Sequence, residues 1–471
     1  MNETVQFLEL ASGVVSNNGK PYPAYKPCGV EWLGRVPEQW QMRRGKTLFA
    51  RKQRPVRTED DIVTCFRDGA VTLRKNRRTT GFTNALKEIG YQGVRKGDFV
   101  MHVMDAFAGA IGVSDSDGKC TPVYSVCEAR PEANAQYFAY LTREMSRAGF
   151  ILALAKGIRE RSSDFRYETF GALRFCLPPP EEQDAIVRFL DHYDRLIRKY
   201  IRAKQKLIAL LTEQKQAIIQ RAVTRGLNPD VKFKSSGVVW LGDIPEEWEQ
   251  HALWTLSRLR IERNPGGLQL LSVFLHRGVI RYEEGGGQVH APSLDLSNYQ
   301  VVHPGDFVLN NQQAWRGSVG VSSHHGIISP AYIVLKLSDR LHSPYANYLL
   351  QSRPMVDQFV AASKGVGDIQ RQIYWPFLRT VQVPVPPMDE QKEIVDYLDA
   401  STQSLSQAIA QAEREIALMR EYRTRLTADV VTGKIDVREA AAALPAAADA
   451  SPIDDTELDE TPDAEEALDA D

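Results

Sequence analysis

The sequence predicts an α+β protein made of two homologous globular domains separated by two long antiparallel coiled-coil helices, with a pseudo-twofold internal repeat. Two observations predict this class. Short motifs recur along the chain at a constant offset of 208 residues, and each copy ends in a long stretch with heptad spacing. The length of 471 residues also favours several domains, because it exceeds what one compact core usually accommodates.

The repeat begins with a turn-forming segment rich in tryptophan. Residues 29–34 recur as 237–242, and residues 37–40 recur as 245–248. Further pairs at the same offset are Gly97 and Gly305, Gly109 and Gly317, Gly112 and Gly320, Tyr137 and Tyr345, Lys156 and Lys364, Pro178 and Pro386, and Glu182 and Glu390. A repeat sustained over this length is far longer than a solenoid unit of about 20 to 50 residues, so it predicts a duplicated domain.

Each copy predicts the same order of local structure. The Trp-Leu-Gly and Pro-Glu-x-Trp motifs combine turn-forming residues with tryptophans that we expect to be buried packing anchors. Short β-branched and aromatic runs after Gly-Asp predict strands, and a segment of helical periodicity follows them. The predicted strands are 98–103, 173–177, 306–309 and 381–385, and the predicted helices are 135–148 and 344–359. Each globular domain is thus an α+β unit of about 150 residues.

A long helix is predicted after the proline pair that closes each copy. Glu181, Glu182, Asp389 and Glu390 follow the prolines, and acidic residues favour a helix N-terminus. Seam positions then alternate steps of four and three, as in a coiled coil. They are Ile197, Ile201, Lys204, Ile208, Leu211, Lys215, Ile218 and Ala222, and then Leu405, Ile409, Ala412, Ile416, Met419, Arg423, Leu426 and Val430. Two helices of about 66 Å would cover these seams by packing antiparallel, and two independent surface helices are the alternative.

These elements divide the chain into six segments. They are an N-terminal extension 1–24, a first globular domain 25–180, a first long helix 181–225, a second globular domain 226–388, a second long helix 389–433 and an acidic tail 434–471. Between the matched motifs the two domains differ strongly, and residues 67–80 have no visible counterpart in residues 277–288. A shared scaffold is therefore predicted to carry two different surfaces.

The net charge of −2 is unevenly distributed. Residues 436–471 contain 13 acidic residues and one base, Arg438, so this stretch carries −12 and the rest of the chain carries +10. The tail is rich in alanine and nearly free of aromatic residues, so it buries too little apolar surface to offset the entropy of ordering. We expect residues 434–471 to be disordered, with a charge decoy or partner-binding arm as the alternative. The basic body is compatible with a nucleic-acid partner.

The sequence has no signature of a catalytic centre, a metal site or a cofactor. The five cysteines are odd in number and form no CxxC pair, so neither zinc nor a disulfide framework is expected. There is no GxxxxGK[ST], HExxH or GxSxG motif, and we predict no catalytic residue and no cofactor in this chain. No run of about 18 apolar residues and no signal-like N-terminus occurs, which predicts a cytoplasmic protein without a membrane partner.

Basic and amide side chains concentrate in the predicted loops. Arginine can pair bidentately with guanine and glutamine with adenine, each pair giving about 1 to 3 kcal/mol of discrimination, while other basic residues contact phosphates. The candidate DNA-binding residues are Arg74, Lys75, Arg77, Arg78, Lys156, Arg159, Arg161, Arg166, Gln312, Gln313, Arg316, Lys364, Gln370, Arg371 and Gln372. For any one of them a solvated loop face is the alternative. Together, on a duplicated scaffold, they predict two modules that each read a short DNA sequence.

The sequence resembles the specificity (S) subunits of type I restriction-modification enzymes. The resemblance is carried by the tryptophan segments 32–40 and 240–248, the Gly-Asp turns at Gly97 and Gly305, the Pro-Pro-x-x-Glu-Gln helix starts at Pro178 and Pro386, and the two heptad helices. It covers about residues 25–433. The 24-residue N-terminal extension and the acidic tail depart from the pattern of the family.

The resemblance implies two target-recognition domains, each reading one half of a bipartite, asymmetric site on double-stranded DNA. It implies that the helices fix the spacer between the half-sites and dock two methyltransferase (M) subunits. M subunits of this family modify adenine N6 with S-adenosylmethionine, and restriction/translocase (R) subunits of the full complex use ATP and Mg²⁺. This chain would be the non-catalytic subunit and would hold none of these cofactors.

Two other functions stay open on sequence alone. One is a self-contained enzyme that modifies or cleaves DNA. Against it, residues 177–180 (Leu-Pro-Pro-Pro) lack the polar and aromatic ends of the Asn/Asp-Pro-Pro-Tyr/Phe motif that holds a flipped adenine. The other is a coiled-coil scaffold that does not touch DNA, which a steep loss of duplex affinity with salt would exclude.

Overall fold

The computed structural model describes residues 20–30, 32–77, 88–154, 164–275, 277–285, 292–293, 295–366 and 370–445. These form two compact units, and each unit contains one globular domain. The first unit combines residues up to 203 with residues from 415 onward, and the second unit consists of residues 204–414. Each unit thus includes one half of each long helix. The predicted class, with two homologous α+β domains and two long helices, is confirmed.

Each domain is built around a four-stranded antiparallel sheet, with order β4-β11-β8-β9 in the first and β16-β23-β20-β21 in the second. The strands of the first domain are β1 (Tyr25–Pro27), β2 (Arg35–Pro37), β3 (Gln41–Arg44), β4 (Phe49–Arg51), β5 (Val63–Cys65), β6 (Val71–Leu73), β7 (Gln92–Val94), β8 (Phe99–His102), β9 (Ile111–Val113), β10 (Gly118–Cys120), β11 (Tyr124–Ala129) and β12 (Arg174–Leu177). Those of the second domain are β13 (Phe233–Ser235), β14 (Asp243–Pro245), β15 (Glu249–Ala252), β16 (Ser257–Leu259), β17 (Leu271–Phe274), β18 (Gly278–Arg281), β19 (Gln300–Val302), β20 (Asp306–Asn310), β21 (Val319–Val321), β22 (Gly326–Ile328), β23 (Tyr332–Leu337), β24 (Ser363–Val366), β25 (Gln370–Ile373) and β26 (Gln382–Val385).

The helices follow the same duplication. They are α1 (Gly45–Leu48), α2 (Ala135–Arg147), α3 (Phe150–Leu154), α4 (Tyr167–Ala172), α5 (Pro180–Arg225), α6 (Leu253–Leu256), α7 (Ser343–Gln351), α8 (Arg353–Ala362), α9 (Trp375–Leu378), α10 (Met388–Val431) and α11 (Arg438–Ala442). The two long helices, α5 and α10, begin and end within two residues of the bounds expected from the heptad pattern. Short 3₁₀ turns occur at equivalent places in the two domains, after β6 and β18 and after β8 and β20.

The duplication extends through the segment in which the sequences of the two copies have diverged. The hairpin β5–β6 and its 3₁₀ turn Arg74–Asn76 have counterparts in the hairpin β17–β18 and the turn Tyr282–Glu284. The segment that showed no visible sequence counterpart therefore has a structural one, as far as its residues are described. Glycines on the neighbouring strand explain how the hairpin fits. A Cβ at Gly112 would lie 1.9 Å from the Gly69 carbonyl oxygen, and one at Gly320 would lie 2.8 Å from the Gly278 Cα.

The tryptophans of the repeat divide into two kinds. Trp40 and Trp248 are buried in equivalent positions, as predicted. Trp240 is 47% exposed, so the expectation that it is a buried anchor was wrong. Its counterpart Trp32 packs against Phe150 with ring centroids 6.0 Å apart. In the second domain the position of Phe150 is taken by Gln358, which donates to the Gln382 carbonyl instead.

The helix predicted over 344–359 is interrupted in the structure. Two helices, α7 and α8, are separated at Ser352, which has extended backbone angles of φ −67° and ψ 150°. Pro354 stands in the first turn of α8, where its missing N–H costs nothing. Inside one continuous helix the same proline would remove a hydrogen bond and clash with the preceding turn, so the chain starts a new helix instead.

The two long helices run antiparallel within the first unit. Asp194 of α5 accepts from Arg423 of α10 at 2.5 Å, and Tyr200 donates to Glu415 at 2.7 Å. Along α5 the positions increase while their partners along α10 decrease, which defines the direction. In the second unit the C-terminal end of α5 and the N-terminal end of α10 share one hydrophobic cluster, through Ala222, Val223, Ile394, Val395 and Leu398. The predicted seam packing is therefore present in both units.

The C-terminal end of each long helix also meets a buried tyrosine in the domain of its unit. Tyr137 donates to the Val431 carbonyl at 3.2 Å in the first unit. Tyr345 donates to the Val223 carbonyl at 3.4 Å in the second. Both tyrosines and both valines are related by the offset of 208 residues, so the contact is part of the duplication. It ties the end of α10 to the first domain and the end of α5 to the second.

A buried glutamine fixes the start of each long helix. Gln391 donates to the carbonyls of Pro386 and Arg340, both at 2.9 Å, and accepts from the His342 backbone N–H at 2.8 Å. Gln183 makes the equivalent three bonds with Pro178, Glu132 and Asn134. The Pro-Pro-x-x-Glu-Gln motif is therefore a structural joint, in which one amide satisfies three backbone groups from two segments.

We expect Gln391→Leu to destabilise the second unit by on the order of 3 kcal/mol, because two buried carbonyls and one buried N–H lose their partner. The measurement is the midpoint of the denaturant transition, compared with the unchanged chain. Gln403→Leu is a matched control, since Gln403 is an exposed residue of the same helix. Equal midpoints for the two variants would contradict the role of the joint.

Glu390 adds a pH dependence to the same joint. Its carboxylate accepts from Trp248 Nε1 at 2.9 Å. Burial raises the pKa of Glu390 above its ordinary value of 4.5, and this outweighs the hydrogen bond from Trp248, which lowers it. Because its pKa is higher in the folded state, the folded chain binds more protons, and stability falls as pH rises from about 4.5 through the folded-state pKa.

We expect Glu390→Gln to remove this pH-dependent loss, because the amide oxygen still accepts from Trp248 but carries no charge. The measurement is the difference in unfolding midpoint between the variant and the unchanged chain, from about pH 4 to about pH 7. The difference should grow in favour of the variant as pH rises. A difference that does not change with pH would contradict the assignment.

The beginning of the acidic tail is folded, which corrects the expectation of disorder from residue 434. Asp436 forms a β-bridge with Lys20, and Val437 and Ala441 are buried in the core of the first unit. Arg188 of α5 donates to the Leu444 carbonyl at 2.5 Å. Apolar residues interspersed among the acidic ones account for this packing. Residues 446–471, the larger part of the tail, lie outside the described residues, as do residues 1–19 of the N-terminal extension.

Candidate nucleic-acid interface

The structure describes most, but not all, of the residues predicted to bind DNA. Arg78, Lys156, Arg159 and Arg161 lie outside the described residues, and so does the side chain of Gln370. The others fall on three elements of the repeat. These are the 3₁₀ turn after β6, the 3₁₀ turn after β20, and the segment that leads into the last short helix of each domain.

In the first domain three of the predicted basic residues, Arg74, Lys75 and Arg77, lie at one 3₁₀ turn, and carboxylates pair with two of them. Lys75 pairs with Asp61 at 2.5 Å, and Arg77 pairs with Asp68 at 2.7 Å. Lys75 lowers the pKa of Asp61 through this bond. Burial alone would raise the pKa of Asp68, yet the Ala70 backbone N–H and Arg77 together lower it. Both carboxylates are therefore charged at neutral pH, and the positive charge of this turn is largely balanced.

Of the two remaining described candidates of this domain, one bonds a hydroxyl and the other pairs with a carboxylate. Arg74 donates from Nε to the Thr64 hydroxyl at 3.3 Å. Arg166 is exposed and pairs with Asp164 at 2.6 Å. The backbone N–H of Phe165 donates to the Val103 carbonyl at 3.1 Å, which holds this segment beside the turn after β8.

In the second domain two distant parts of the sequence form one surface. We call residues 310–316 the aromatic turn; it includes the 3₁₀ turn Ala314–Arg316 and contains Gln312 and Gln313. The hairpin β24–β25 lies beside it, because the Ile373 N–H donates to the Asn311 carbonyl at 2.8 Å. This bond is the counterpart, at an offset of 208, of the bond from Phe165 to Val103. Arg371 is thereby brought close to Arg316 at the Trp315 ring. Lys364 and Gln372 lie opposite each other on the hairpin and project from its other face.

Four cations of the second domain lie against aromatic rings. Arg316 lies 4.7 Å and Arg371 5.8 Å from the Trp315 ring centroid. Lys364 lies 4.1 Å from the ring of Phe377. Arg379 lies 5.6 Å from the ring of Trp254. Sequence reasoning did not assign roles to Trp254, Phe377 or Arg379, although the run Tyr374-Trp375-Pro376-Phe377 is an aromatic segment inside a basic region and could have indicated them.

The two domains therefore use their basic residues differently. Among the residues that the structure describes, neither Arg316 nor Lys364 has a carboxylate within ion-pair distance, whereas Lys75, Arg77 and Arg166 each have one. Stacking on a ring leaves the charge of the cation available, while an ion pair cancels much of it. The same scaffold therefore carries a surface of nearly balanced charge in the first domain and a positively charged surface with aromatic rings in the second.

The turns after β6 and β18 also differ in sign. In the first domain the turn consists of Arg74, Lys75 and Asn76, and in the second it consists of Tyr282, Glu283 and Glu284. Glu283 accepts from Gln269 at 3.2 Å. One scaffold position is therefore basic in one copy and acidic in the other, which is the divergence expected of two surfaces with different targets.

Across the described part of the chain, no three histidine, cysteine or acidic side chains are grouped so that they could hold a metal ion. No described helix is both long enough and apolar enough to span a bilayer.

Comparison with known proteins agrees with these features. Residues 293–416 match the model of the type I restriction modification DNA specificity domain. The chain is 25% identical over 287 residues to the type I restriction enzyme MjaVIII specificity subunit of Methanocaldococcus jannaschii, a match that covers 57% of this chain and 64% of that relative. It is 22% identical over 445 residues to the putative type I restriction enzyme MjaX specificity subunit of the same organism, covering 86% of this chain and 96% of that relative.

A solved structure shows the same fold. It concerns the complex assembly and conformational transition of the type I R-M system, and one of its chains superposes with a TM-score of 0.54 at 20% identity. The superposition covers 85% of this chain and 99% of the other.

The duplicated fold with divergent loops is the fold of that solved chain of a type I R-M system. The resemblance drawn from the sequence is confirmed: the chain is similar to curated specificity subunits of type I restriction enzymes, and one segment of it matches the DNA specificity domain of that family.

Proposed function

We propose that this chain is the DNA-specificity subunit of a type I restriction-modification complex and that each domain reads one half of a bipartite, asymmetric site on double-stranded DNA. One observation carries the proposal. The two domains share their strands, helix starts and buried hydrogen bonds at a constant offset, while the exposed side chains at equivalent turns differ in charge and type. A conserved scaffold with divergent exposed turns suits two readers of different sequences.

The long helices have the properties needed for a spacer that also docks partners. They pack antiparallel within the first unit, and they expose apolar residues outside the seam, with Leu210 55% and Leu418 60% exposed. Single exposed leucines are normal on a protein surface, so the docking proposal rests on the similarity to specificity subunits. We propose that two methyltransferase (M) subunits dock on the helices and that restriction/translocase (R) subunits join the full complex.

The chemistry of the complex would then lie in its other subunits. S-adenosylmethionine would serve the M subunits, and ATP with Mg²⁺ would serve the R subunits, while this chain would be non-catalytic and would hold no cofactor. DNA in the cytoplasm is the proposed substrate. The sites proposed for DNA contact are the predicted residues on the aromatic turn, on β24–β25 and on the turn after β6.

The test is binding of duplex DNA by the chain assembled with its M subunits. Affinity for a specific duplex should exceed that for unrelated duplexes, and it should fall steeply as salt rises, because phosphate contacts release counterions. Duplex affinity that is absent or insensitive to salt would favour a scaffold that does not bind DNA. Methylation of DNA by the purified chain alone would favour the self-contained enzyme instead.

A further inference from the structure

The aromatic turn of the second domain holds one arginine in a defined orientation. The Nε1–H of Trp315 donates to the Gln312 carbonyl at 2.8 Å, so the indole ring is tied to its own turn. Arg316 lies over this ring at 4.7 Å. The next residue, Gly317, ends the turn with φ of 98°, a conformation that favours glycine. The guanidinium is therefore placed by a fixed ring and a fixed backbone.

The same arginine keeps its hydrogen-bonding capacity. Arg316 is exposed, and its side chain makes no hydrogen bond or ion pair within the part of the chain that the structure describes. Contact with a ring does not use the N–H donors of a guanidinium as hydrogen bonds, so these donors stay available to a ligand. A planar pair of donors held in this way matches the O6 and N7 acceptors that guanine presents in the major groove.

We propose that Arg316, oriented by Trp315, reads a guanine in the half-site of the second domain. This inference rests on the proposed function and adds to it a base, a reading residue and a positioning residue. Trp315 is the positioning residue, because it acts through the arginine. An exposed arginine could instead contact a phosphate, and replacing guanine by 7-deazaguanine distinguishes a base contact from a phosphate contact.

The first domain has no arginine at the equivalent positions. The positions that correspond to Trp315 and Arg316 are Phe107 and Ala108, and the position that corresponds to Gln312 is Met104, which is 49% exposed. An exposed methionine offers apolar contact instead of paired donors. The guanine contact is therefore specific to the second domain, and substitutions in the aromatic turn should leave recognition of the first half-site unchanged.

The experiment uses the chain assembled with its M subunits and a duplex that contains its methylated motif. Each guanine of the second half-site is replaced in turn by 7-deazaguanine, which lacks the N7 acceptor. At one position the unchanged complex should lose about tenfold in affinity. Arg316→Ala should lose between about 5- and 150-fold on the natural duplex and should no longer respond to 7-deazaguanine at that position.

Three further variants and one control separate the roles of the arginine's charge, its donor geometry and the ring beneath it. Arg316→Lys keeps the charge without the fork of donors, so it should retain the salt dependence but lose the response to 7-deazaguanine. Trp315→Phe keeps a ring beneath the arginine and should retain much of the response, whereas Trp315→Leu should lose most of it. Arg258→Ala removes an exposed arginine of the same domain as a matched control and should keep the full response.

Each outcome decides the inference. If Arg316→Ala responds to 7-deazaguanine as the unchanged complex does, or if the half-site contains no guanine, the inference is wrong while the proposed function stands. A uniform loss of affinity for all sequences, with a smaller salt dependence, would assign Arg316 to a phosphate and would also overturn it. If the unchanged complex shows no sequence preference at all, the proposed function itself fails. Unchanged thermal melting of the variants excludes misfolding as the cause.

Discussion

Exchange of residues 237–385 for the corresponding domain of another specificity subunit should change one half of the methylated DNA motif completely and leave the other half unchanged. The physical reason is the distribution of contacts. The second domain has its own hydrophobic clusters around the sheet β16-β23-β20-β21, and its candidate DNA-binding residues all lie on its own turns and hairpin. The first domain has an equivalent and separate core around Trp40 and Tyr137.

The measurement is a genome-wide map of methylated adenines in cells that carry the exchanged chain with its M subunits. The joint at Gln391 lies outside the exchanged segment, but its partners Arg340 and His342 lie inside it, so the donor domain must also supply backbone groups for this amide. Exchange of the first domain provides the reciprocal control. Changes in both halves of the motif after either exchange would contradict separate reading by the two domains.

Lengthening both long helices by seven residues should lengthen the spacer between the half-sites by up to about three base pairs. Seven residues are two turns of a coiled coil and keep the heptad phase of the seam, and they add about 10.5 Å at 1.5 Å per residue. The rise of duplex DNA is about 3.4 Å per base pair. Both helices must change together, because the contacts from Asp194 to Arg423 and from Tyr200 to Glu415 fix their antiparallel register in the first unit.

The measurement is the affinity of the assembled complex for duplexes that carry the same two half-sites with spacers of different length. Insertion into α5 alone is the control, since it shifts one side of the seam against the other and should weaken folding and binding together. An unchanged optimal spacer in the doubly lengthened chain would contradict the role of the helices as a ruler. A change in the half-sites themselves would contradict it equally.

Much of the fold could be predicted because it depends on residue patterns that are the same in the two copies of the repeat. The proline pairs and acidic residues gave the starts of α5 and α10, the heptad spacing gave their length, and the paired Gly-Asp turns located β8 and β20. The hairpins β5–β6 and β17–β18 were not predicted from the sequence. The two copies have few residues in common there, and a strand depends more on how its side chains pack than on which residues it contains. Trp240 was misjudged because its exposure depends on whether the facing position is Phe150 or its counterpart Gln358, a contact that local sequence does not show.

The candidate interface was predicted in composition but not in arrangement. The aromatic turn and the hairpin β24–β25 are about fifty residues apart in the sequence, and a single backbone bond from Ile373 to Asn311 brings them together. Sequence reasoning also could not distinguish Arg77, which lies over the Phe66 ring but also pairs with Asp68, from Arg316, which lies over a ring and has no carboxylate partner among the described residues. That difference depends on tertiary contacts, and it separates the balanced surface of the first domain from the positive surface of the second.

The most direct measurement is the map of methylated adenine in DNA from cells that express the M subunits with or without this chain. We predict one bipartite, asymmetric methylated motif with a fixed spacer, present only when the chain is expressed. We also predict that Arg316→Ala removes the requirement for guanine at one position in one half of that motif. A continuous or symmetric motif, or a motif that is methylated equally without the chain, would contradict the proposed role of this chain as the specificity subunit.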